Sequence, residues 1–591
     1  MMKNLLNILT LVTCTTILFA ACDHSVLTKQ PLDEMSQEDV WNDPALVEAY
    51  INDVYQGLGH GYLALRINSG VDEAKHVHGW DDGPVRQSIL TPDNIGFFRS
   101  WANWFPHYRW DELYSKIRDT NIFLENIGEV EMGQALKDRL KGEALFLRAY
   151  FYHNLMKLHG GVPLITRSFD LDDDFLVSRG SFEDTIDLIV SDVDQAAQLL
   201  PVVQDNDGRA TKGAALALKS RTLLFAASDL YHENIGSMPE TGYMGGDQQA
   251  RWRAAKNAAQ EVMNLGVYEL YEANPAPGDS AAKNYADIFL VDGHNENILV
   301  RHMSAEYSWS WFEGNIGLYS GPNGWHNWGG DVPLQQHVDA YEMADGSKFD
   351  WNNPEHAANP YENRDPRFYA SIFYNGAKWR ERPSDVFDLD PEGIVETANF
   401  EVEGREDLRP GLDTRGGPIE DWNGTYTGYY TRKFLDINVN HQFNMQEKPW
   451  VYMRFAEILL NYAEASVELG EDADARRALN RIRTRAGMPD VPVTESGQEL
   501  LDRVRNERRV ELAFEEHRFF DVRRWMIAPE VYENGQGVQI IGRLNDDGSY
   551  DFEYNLRDVD ERQWQDKAYF LPIWRDEMQR NENLVQNPGY N

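Results

Sequence analysis

The chain has 591 residues and carries 56 Lys and Arg against 96 Asp and Glu, a formal net charge of −40. A field this negative repels nucleic acid and other polyanions, and no dense basic run offsets it, so we expect no nucleic-acid partner. Both cysteines, Cys14 and Cys22, lie at the N-terminal end. Their position excludes disulfides, a cysteine-based zinc site and a thiol nucleophile in the folded part.

The N-terminus resembles a bacterial lipoprotein signal. An apolar stretch, Leu5 to Ala21, is too short for a spanning helix and ends in Leu18-Phe-Ala-Ala-Cys22. We therefore predict a signal peptide over 1–21, a lipid anchor on Cys22 and a tether over 22–40. An ordinary secretory signal cleaved nearby is the alternative. No later segment is apolar enough to span a membrane, so we expect the chain to be anchored to the bilayer without crossing it.

Helical periodicity dominates residues 41–267. Apolar residues recur at helical spacing in six stretches, which are Trp41 to Leu58, Trp110 to Asn121, Leu136 to Leu155, Phe182 to Leu200, Ala214 to Tyr231 and Trp252 to Leu265. Ser181 is placed as an N-cap. Paired helices with small residues at their contacts are typical of tetratricopeptide repeats, although the repeat length of about 34 residues is not regular here.

Two stretches lack this periodicity. Residues 59–106 form a long aromatic-rich segment, and long loops in compact proteins are usually functional or disordered. Its aromatic content argues against disorder. In residues 268–449, Gly, Pro, Asn and Asp punctuate short apolar runs, which predicts loops and short strands with few helices.

The most regular helical pattern lies near the C-terminus. Apolar positions from Phe455 to Val467 precede Gly470, a residue suited to a left-handed helix stop. A second helix is predicted over Ala475 to Ala486, closed by Gly487, and a third begins near Gln498. The short breaks between them indicate antiparallel helical hairpins.

The same region carries a family resemblance. The motifs are Asn461-Tyr-Ala-Glu-Ala465, Ala478 to Gly487, Glu507 to Glu515, Arg518 to Trp525, Tyr569 to Trp574 and Gln586 to Tyr590, with Tyr341 to Gly346 and Asn363 to Phe368 upstream. Together they resemble the SusD/RagB family of outer-membrane, glycan-capturing lipoproteins of Bacteroidetes.

The resemblance implies a mostly α fold, in which a tetratricopeptide-like helical-repeat scaffold supports a loop-rich region containing short strands. It divides the folded chain into an N-terminal helical-repeat region, 41–267, and a C-terminal region, 268–591. It also implies display on the outer-membrane surface and association with a SusC-like TonB-dependent transporter, over which this protein would act as a lid.

Candidate ligand contacts come from two tryptophan clusters. Sugar rings present apolar C–H faces and polar edges, so their binding requires flat aromatic platforms beside hydrogen-bonding groups. Any one tryptophan is as readily explained by packing, and we assign Trp110 and Trp525 to the core. The predicted glycan contacts are Trp80, Trp101 and Trp104 with Asp72 and His78, and Trp309, Trp311, Trp325 and Trp328 with Asn323.

Catalysis and metal binding find little support. No nucleophile elbow, zinc-protease motif or phosphate loop is present, so we predict neither an enzyme nor a cofactor. Asp388-Leu-Asp-Pro-Glu-Gly393 resembles the opening of a calcium loop, but its twelfth position is Asn399 rather than Glu, and we interpret it as a surface turn without metal. The Arg–Glu-rich segment 503–524 favours i,i+4 pairs and buried Arg–Glu hydrogen bonds.

The expected function is non-catalytic capture of a glycan for delivery to the transporter. The net charge favours a neutral or weakly charged glycan, and a local arginine such as Arg66, Arg86 or Arg99 would reverse that preference. Capture of peptides or another non-sugar nutrient is one alternative. A surface enzyme acting on the same polysaccharide is the other.

Overall fold

The computed structural model describes residues 37–99, 105–276, 278–304 and 314–590. Nine helices are found before residue 270 in these ranges, which are α1 Gln37–Asn42, α2 Pro44–Tyr55, α3 Gly83–Arg86, α4 Trp110–Asn126, α5 Gln134–His159, α6 Phe182–Leu199, α7 Lys212–Ala227, α8 Asp229–Glu233 and α9 Gln248–Met263. Ser181 caps α6 through a capping box with Asp184, as predicted for this position.

The middle of the chain contains only short elements, as its turn-rich sequence predicts. Its helices are α10 Ala281–Asp287, α11 Ile316–Ser320, α12 Gln335–Asp339, α13 Pro354–Ala358 and α14 Pro366–Ser371. The short strands are β1 Ala74–His76 from the N-terminal region, then β2 Asn297–Arg301, β3 Asp331–Pro333, β4 Ile372–Phe373, β5 Asn399–Phe400, β6 Arg409–Pro410 and β7 Tyr430–Thr431. In the calcium-like motif, Asp390 accepts hydrogen bonds from the backbone N–H groups of Glu392, Gly393 and Ile394. The carboxylate thus closes a turn, as predicted.

The C-terminal part combines helices with one long hairpin. Its elements are β8 Trp450–Arg454, α15 Phe455–Glu468, α16 Asp472–Arg485, α17 Gln498–Glu511, α18 Arg518–Arg524, α19 Ala528–Val531, β9 Gly535–Leu544, β10 Tyr550–Asp560 and α20 Arg575–Arg580. The first three of these helices agree with the predicted ones, and Gly470 and Gly487 both adopt the left-handed conformation after their helices. The β9–β10 hairpin has no counterpart among the predicted elements, because most of β10 is exposed and polar.

The long helices pack side by side in one row. α4 packs on α5, α5 on α6, α6 on α7, α7 on α9, α9 on α15, and α15 on α16. This arrangement confirms the tetratricopeptide-like scaffold and the mostly α fold class. Trp110 and Trp525 are buried within it, as predicted. Within the described ranges, none of the helices combines the length and apolar content needed to cross a bilayer.

The described residues form four small sheets, each of which contains a strand of the loop-rich region. β9 and β10 are extended by β5 and β6, while β2 pairs with β8 and β4 with β7. The antiparallel pair of β1 and β3 joins residues 74–76 to residues 331–333. This pairing brings the N-terminal aromatic segment to the irregular middle of the chain. The division into two regions at residue 268 stays a prediction.

A buried ionic network ties the C-terminal helices to β8. Glu511 of α17 accepts hydrogen bonds from Arg454 of β8, Arg485 of α16 and Arg367 of α14, and all four side chains are almost completely inaccessible. Burial raises the pKa of a carboxylate, but Arg485, Arg454 and Arg367 outweigh it and hold the pKa of Glu511 well below its ordinary value. The network therefore stays ionised in the interior.

The Arg–Glu-rich segment 503–524 is structural, and its predicted buried hydrogen bonding is confirmed. Most of its partners lie outside the segment: Arg524 of α18 pairs with Glu464 of α15, and Arg518 pairs with Asp72 of the N-terminal segment. Within the segment, Asp521 pairs with Arg508 and Arg524. None of the ion pairs made by this fully described segment has i,i+4 spacing. That part of the prediction is wrong, because the charges face neighbouring elements rather than the surface of their own helix.

Candidate functional site

Three rings form a partly exposed aromatic surface on the loop-rich region. The His78 imidazole stacks on Trp80 with ring centroids 4.9 Å apart and an interplanar angle of 23°. It also contacts Trp422, at 5.2 Å and 44°. Trp422 is 56% exposed, and the other two rings are half-buried. We call His78, Trp80 and Trp422 the aromatic platform.

The pairing of β1 with β3 determines the position of His78 in the platform. Asp331 of β3 contacts the His76 ring at 3.0 Å and accepts hydrogen bonds from the backbone and guanidinium of Arg66. Beyond the strand, the backbone N–H of Val77 donates to the Gly330 carbonyl over 2.8 Å. The Nε2–H of His78 donates to the Trp328 carbonyl over 3.2 Å, which fixes the orientation of the ring.

Close approach of two loops places Trp422. It lies in a single 3₁₀ turn, Asp421–Asn423, directly against the backbone of Gly329. Gly329 has a φ of +73°, and a Cβ atom there would lie 2.4 Å from the Asn423 carbonyl oxygen. Only glycine fits this left-handed position without displacing the turn. The guanidinium of Arg415 donates to the Trp422 carbonyl over 3.0 Å and holds the turn from within its own loop.

A histidine bridges the loops next to the platform. His326 contacts the Glu420 carboxylate through Nδ1 at 2.9 Å and the Asp385 carboxylate through Nε2 at 3.0 Å. Glu420 also accepts a hydrogen bond of 2.9 Å from the side chain of Asn423 in the Trp422 turn. The loops of His326, Asp385 and Glu420 are therefore joined through one imidazole beside the exposed indole.

The platform is uncharged near neutral pH. Burial, with the charge of His76 next, lowers the pKa of His78 to about 4. The nearby Arg415 is stacked 4.1 Å from the Tyr426 ring centroid and makes no ion pair with any described residue. The rings thus offer neutral faces beside one guanidinium and the exposed carboxylates of Asp81 and Asp421.

Two predicted contacts from the second tryptophan cluster are buried instead. Trp325 is 3% exposed, and its indole N–H donates to the carbonyls of Arg380 and Glu381 while the Arg382 guanidinium covers the ring at 3.7 Å. Asn323 is fully buried between the Ile419 carbonyl and the Tyr430 hydroxyl, each 2.6 Å away. Both predictions of ligand contact are wrong for this conformation, because the surrounding loops already satisfy and cover these side chains.

Asp72 is likewise structural. Its buried carboxylate receives two hydrogen bonds from Arg518, at 2.9 and 2.8 Å, and pairs with Arg509. Burial raises the pKa of a carboxylate, but Arg509 and Arg518 outweigh it and lower that of Asp72. The prediction that Asp72 hydrogen-bonds a ligand is wrong, since both oxygens are already engaged in the interior.

Trp328 is half-buried, with its ring 5.5 Å from Tyr319, and it contributes its carbonyl to the platform. Trp101, Trp104, Trp309, Trp311 and the lipidation residue Cys22 lie outside the described residues and stay predictions. Arg66, considered as a local cation for ligand, is buried against Asp331. Arg86 pairs with Asp82 and Asp560.

Trp422 is absent from the predicted set, although it is the most exposed ring of the platform. It stands alone in Glu420-Asp-Trp-Asn-Gly424, whereas the predicted tryptophans cluster along the sequence. An isolated tryptophan between acidic and turn-forming residues is the signal that would have found it, since such a residue has no helical or strand pattern to bury it.

The site has the chemistry of a binding surface. Flat rings can cover an apolar ligand face, while Arg415 and the exposed carboxylates can bond to hydroxyl groups at its edge. Within the described part of the chain, no group of three His, Cys, Asp or Glu residues is placed to hold a metal ion.

Comparison with known proteins matches both halves of the chain. A SusD family model matches residues 295–590, and a second, SusD-like model, described as starch-binding and associating with the outer membrane, matches residues 30–224. A SusD-like protein of Formosa agariphila is 24% identical over 540 residues, covering 86% of this chain and 89% of the relative.

Solved structures show the same fold. The crystal structure of a SusD-like protein from Bacteroides fragilis superposes with a TM-score of 0.74 at 28% identity, covering 95% of this chain and 100% of the other. A second structure from that organism, of a SusD-like carbohydrate-binding protein, has a TM-score of 0.70 at 23% identity, with 92% and 100% covered. With one family model spanning half of its length and a second covering the N-terminal helices, the chain belongs to the SusD family.

Proposed function

We propose that this protein is a surface glycan-binding lipoprotein of the outer membrane, and that it holds its ligand on the aromatic platform. One observation carries the proposal: Trp422, 56% exposed, lies in contact with His78, which in turn stacks on Trp80, so three rings are gathered at one place on the surface. Such a surface suits the apolar face of a pyranose ring. The description of the second family model as starch-binding, and the carbohydrate-binding neighbour, support the same ligand class.

In this proposal the protein captures an oligosaccharide or polysaccharide and passes it to a SusC-like TonB-dependent transporter without breaking a bond. Lipidation of Cys22 keeps the protein at the membrane. Ring stacking gives modest affinity per sugar, which suits a protein that must also release its ligand.

A neutral glycan is the favoured ligand of the platform. His78 carries no charge near pH 7, and the net charge of −40 repels a polyanion approaching this surface. Arg415 donates to the Trp422 carbonyl and supplies a donor for hydroxyl groups.

The test is native gel electrophoresis of the lipid-free protein through soluble α-glucan, β-glucan, mannan and xylan. The wild type is compared with Trp422→Ala and with Phe175→Ala, a matched control that removes a ring with 55% exposure outside the platform. We expect one neutral polysaccharide to retard the wild type and Phe175→Ala but not Trp422→Ala. Equal retardation of all three proteins would place the ligand elsewhere.

Two further outcomes separate the alternatives. If none of these glycans retards the wild type and a peptide mixture binds instead, the ligand is a peptide. If shorter oligosaccharides appear when the retarding polysaccharide is incubated with the protein, the protein is an enzyme. Binding without such products supports capture.

A further inference from the structure

A concave surface lies apart from the aromatic platform and shares no lining residue with it. This cleft, of about 630 Å³, is bounded by the C-terminal end of α2, the loop around Asn206 and the end of β2. Its size lies within the usual range for a small-ligand site. None of the described residues that line it carries a carboxylate, although the chain has 96 Asp and Glu.

Two arginines line the cleft, and only one of them is neutralised. Arg209 donates to the Glu143 carboxylate over 2.7 Å and lies 3.3 Å from that of Glu48. Arg301 donates instead to the Gly59 carbonyl over 3.1 Å and to the Gln56 side-chain oxygen over 3.3 Å. No ion pair joins Arg301 to another described residue, so no described carboxylate neutralises its charge at the cleft.

A buried histidine supplies a second unused donor. His60 lines the cleft and is only 5% exposed. Burial, followed by the charge of Arg301, lowers the pKa of His60 well below its ordinary value, so the ring is neutral. Its Nδ1 accepts the backbone N–H of Tyr62 over 3.2 Å, which leaves the hydrogen on Nε2. No described residue accepts a hydrogen bond from that Nε2–H.

We propose that this cleft binds a carboxylate-bearing sugar, with the Arg301 guanidinium on the carboxylate and the His60 Nε2–H donating to an oxygen of the same unit. The fork of guanidinium N–H groups matches a planar carboxylate better than a lysine would. The amides of Asn52, Gln56 and Asn206 line the same space and suit hydroxyl groups. The choice of a sugar acid over other carboxylates rests on the proposed function. The ligand would then be a uronic acid unit.

The probe is trigalacturonate, titrated calorimetrically into the purified mature protein, with maltotriose as the neutral probe and a sulfated trisaccharide as the tetrahedral anion. We expect trigalacturonate to bind the wild type. Its affinity should fall about tenfold in Arg301→Met, because a charge-assisted pair is lost. Affinity should also fall as salt rises from low ionic strength to about 0.3 M. Arg580→Met, which removes an exposed arginine outside the cleft, is the control and should change nothing.

A second pair of variants tests the cleft independently of whether Arg301→Met folds. Asn206 lies on an exposed loop, and its side-chain oxygen accepts the Gly208 N–H over 2.9 Å. Asn206→Asp retains that acceptor while adding a negative charge at the cleft, so trigalacturonate should bind several-fold more weakly. Asn206→Ala removes the side chain without adding charge and should bind more tightly than Asn206→Asp.

Trigalacturonate affinity that is unchanged in both Arg301→Met and Asn206→Asp would overturn the proposal. So would absence of trigalacturonate binding, or preference for the sulfated probe. Trp422→Ala separates this site from the platform: the variant should keep trigalacturonate binding while losing the neutral glycan. Loss of both ligands in Trp422→Ala would mean that one site takes both, and the separate cleft would be wrong.

Discussion

Glu511 of α17 accepts a hydrogen bond of 2.6 Å from Arg454 of β8, and both side chains are sealed from solvent. Replacing Glu511 by Gln would remove one of the three carboxylates that pair with Arg454 and one of the two that pair with Arg485, so their buried charges would be less well compensated. We expect the free energy of unfolding to fall by about 3–5 kcal/mol, measured by urea denaturation at pH 7. Glu553→Gln, which breaks an exposed pair with Arg543, should change it by less than about 1 kcal/mol.

The same pair predicts a pH dependence. The pKa of Glu511 is held well below its ordinary value in the folded protein, so the unfolded chain takes up this proton first as pH falls. The stabilisation is complete above the ordinary glutamate range and is lost as pH drops through the folded pKa. The stability difference between wild type and Glu511→Gln should therefore shrink under acid conditions. A difference that is constant down to the acid transition would contradict this account.

Two tryptophans should behave in opposite ways. Trp325→Ala removes a buried ring and should lower the free energy of unfolding by about 3–5 kcal/mol. Trp422→Ala removes an exposed ring and should change it by no more than about 0.5 kcal/mol, while abolishing retention by glycan. Urea denaturation and affinity electrophoresis on the same two variants check both statements. A stable Trp325→Ala protein without glycan binding would return Trp325 to the ligand site.

Gly329→Ala tests the close approach that positions Trp422. Alanine at this φ is strained, and its Cβ would strike the Asn423 carbonyl, so we expect a loss of about 1–3 kcal/mol in stability together with weaker glycan retention. Gly548→Ala is the matched control, because its φ is +86° but no atom lies within 4 Å of the added Cβ. It should reduce stability through backbone strain alone and leave retention intact. If the glycan retains Gly329→Ala and Gly548→Ala equally, Gly329 does not position Trp422 for binding.

Lys157 of α5 should cause a second pH dependence of stability, at neutral to alkaline pH. Burial, followed by the charge of Arg221, lowers its pKa to about 7. The unfolded chain therefore binds more protons than the folded one between about pH 7 and the ordinary lysine value, and stability rises with pH across that window. Relative to Lys157→Met, the wild type should gain up to about 1.4 kcal/mol per pH unit above pH 7 in denaturant titrations. A pH-independent difference would show that Lys157 keeps its charge when folded.

The scaffold was predictable because its signals are local. The apolar spacing from Phe455 to Val467 requires a helix with one buried face, and Gly470 supplies the left-handed stop. The proposed ligand surface was predictable only in part. The aromatic and polar residues around them in the sequence indicate His78 and Trp80 as contacts. Trp325 has similar sequence neighbours, but it is buried with its indole N–H bonded to the carbonyls of Arg380 and Glu381.

Pairing across long sequence separations accounts for the remaining errors. From the sequence alone, Asp72 is interpreted as a free polar group. In the fold, Arg518, which is 446 residues away along the chain, lies beside it. His78 is likewise oriented by Trp328, 250 residues distant. Such contacts produce no periodicity or turn pattern in the sequence. The fold class could therefore be predicted, but the exposure of individual loop side chains could not.

These long-range ion pairs also determine when the molecule can fold. Arg221 of the helical row is neutralised by Glu457, 236 residues later, and Asp72 is neutralised from the last quarter of the chain. Until those partners emerge, the N-terminal half carries charges that cannot enter a dry interior without a large penalty. Folding is therefore a late event that follows synthesis of the C-terminal helices, and the many non-local contacts make it slow. A chain leaving the ribosome would remain open for most of its length.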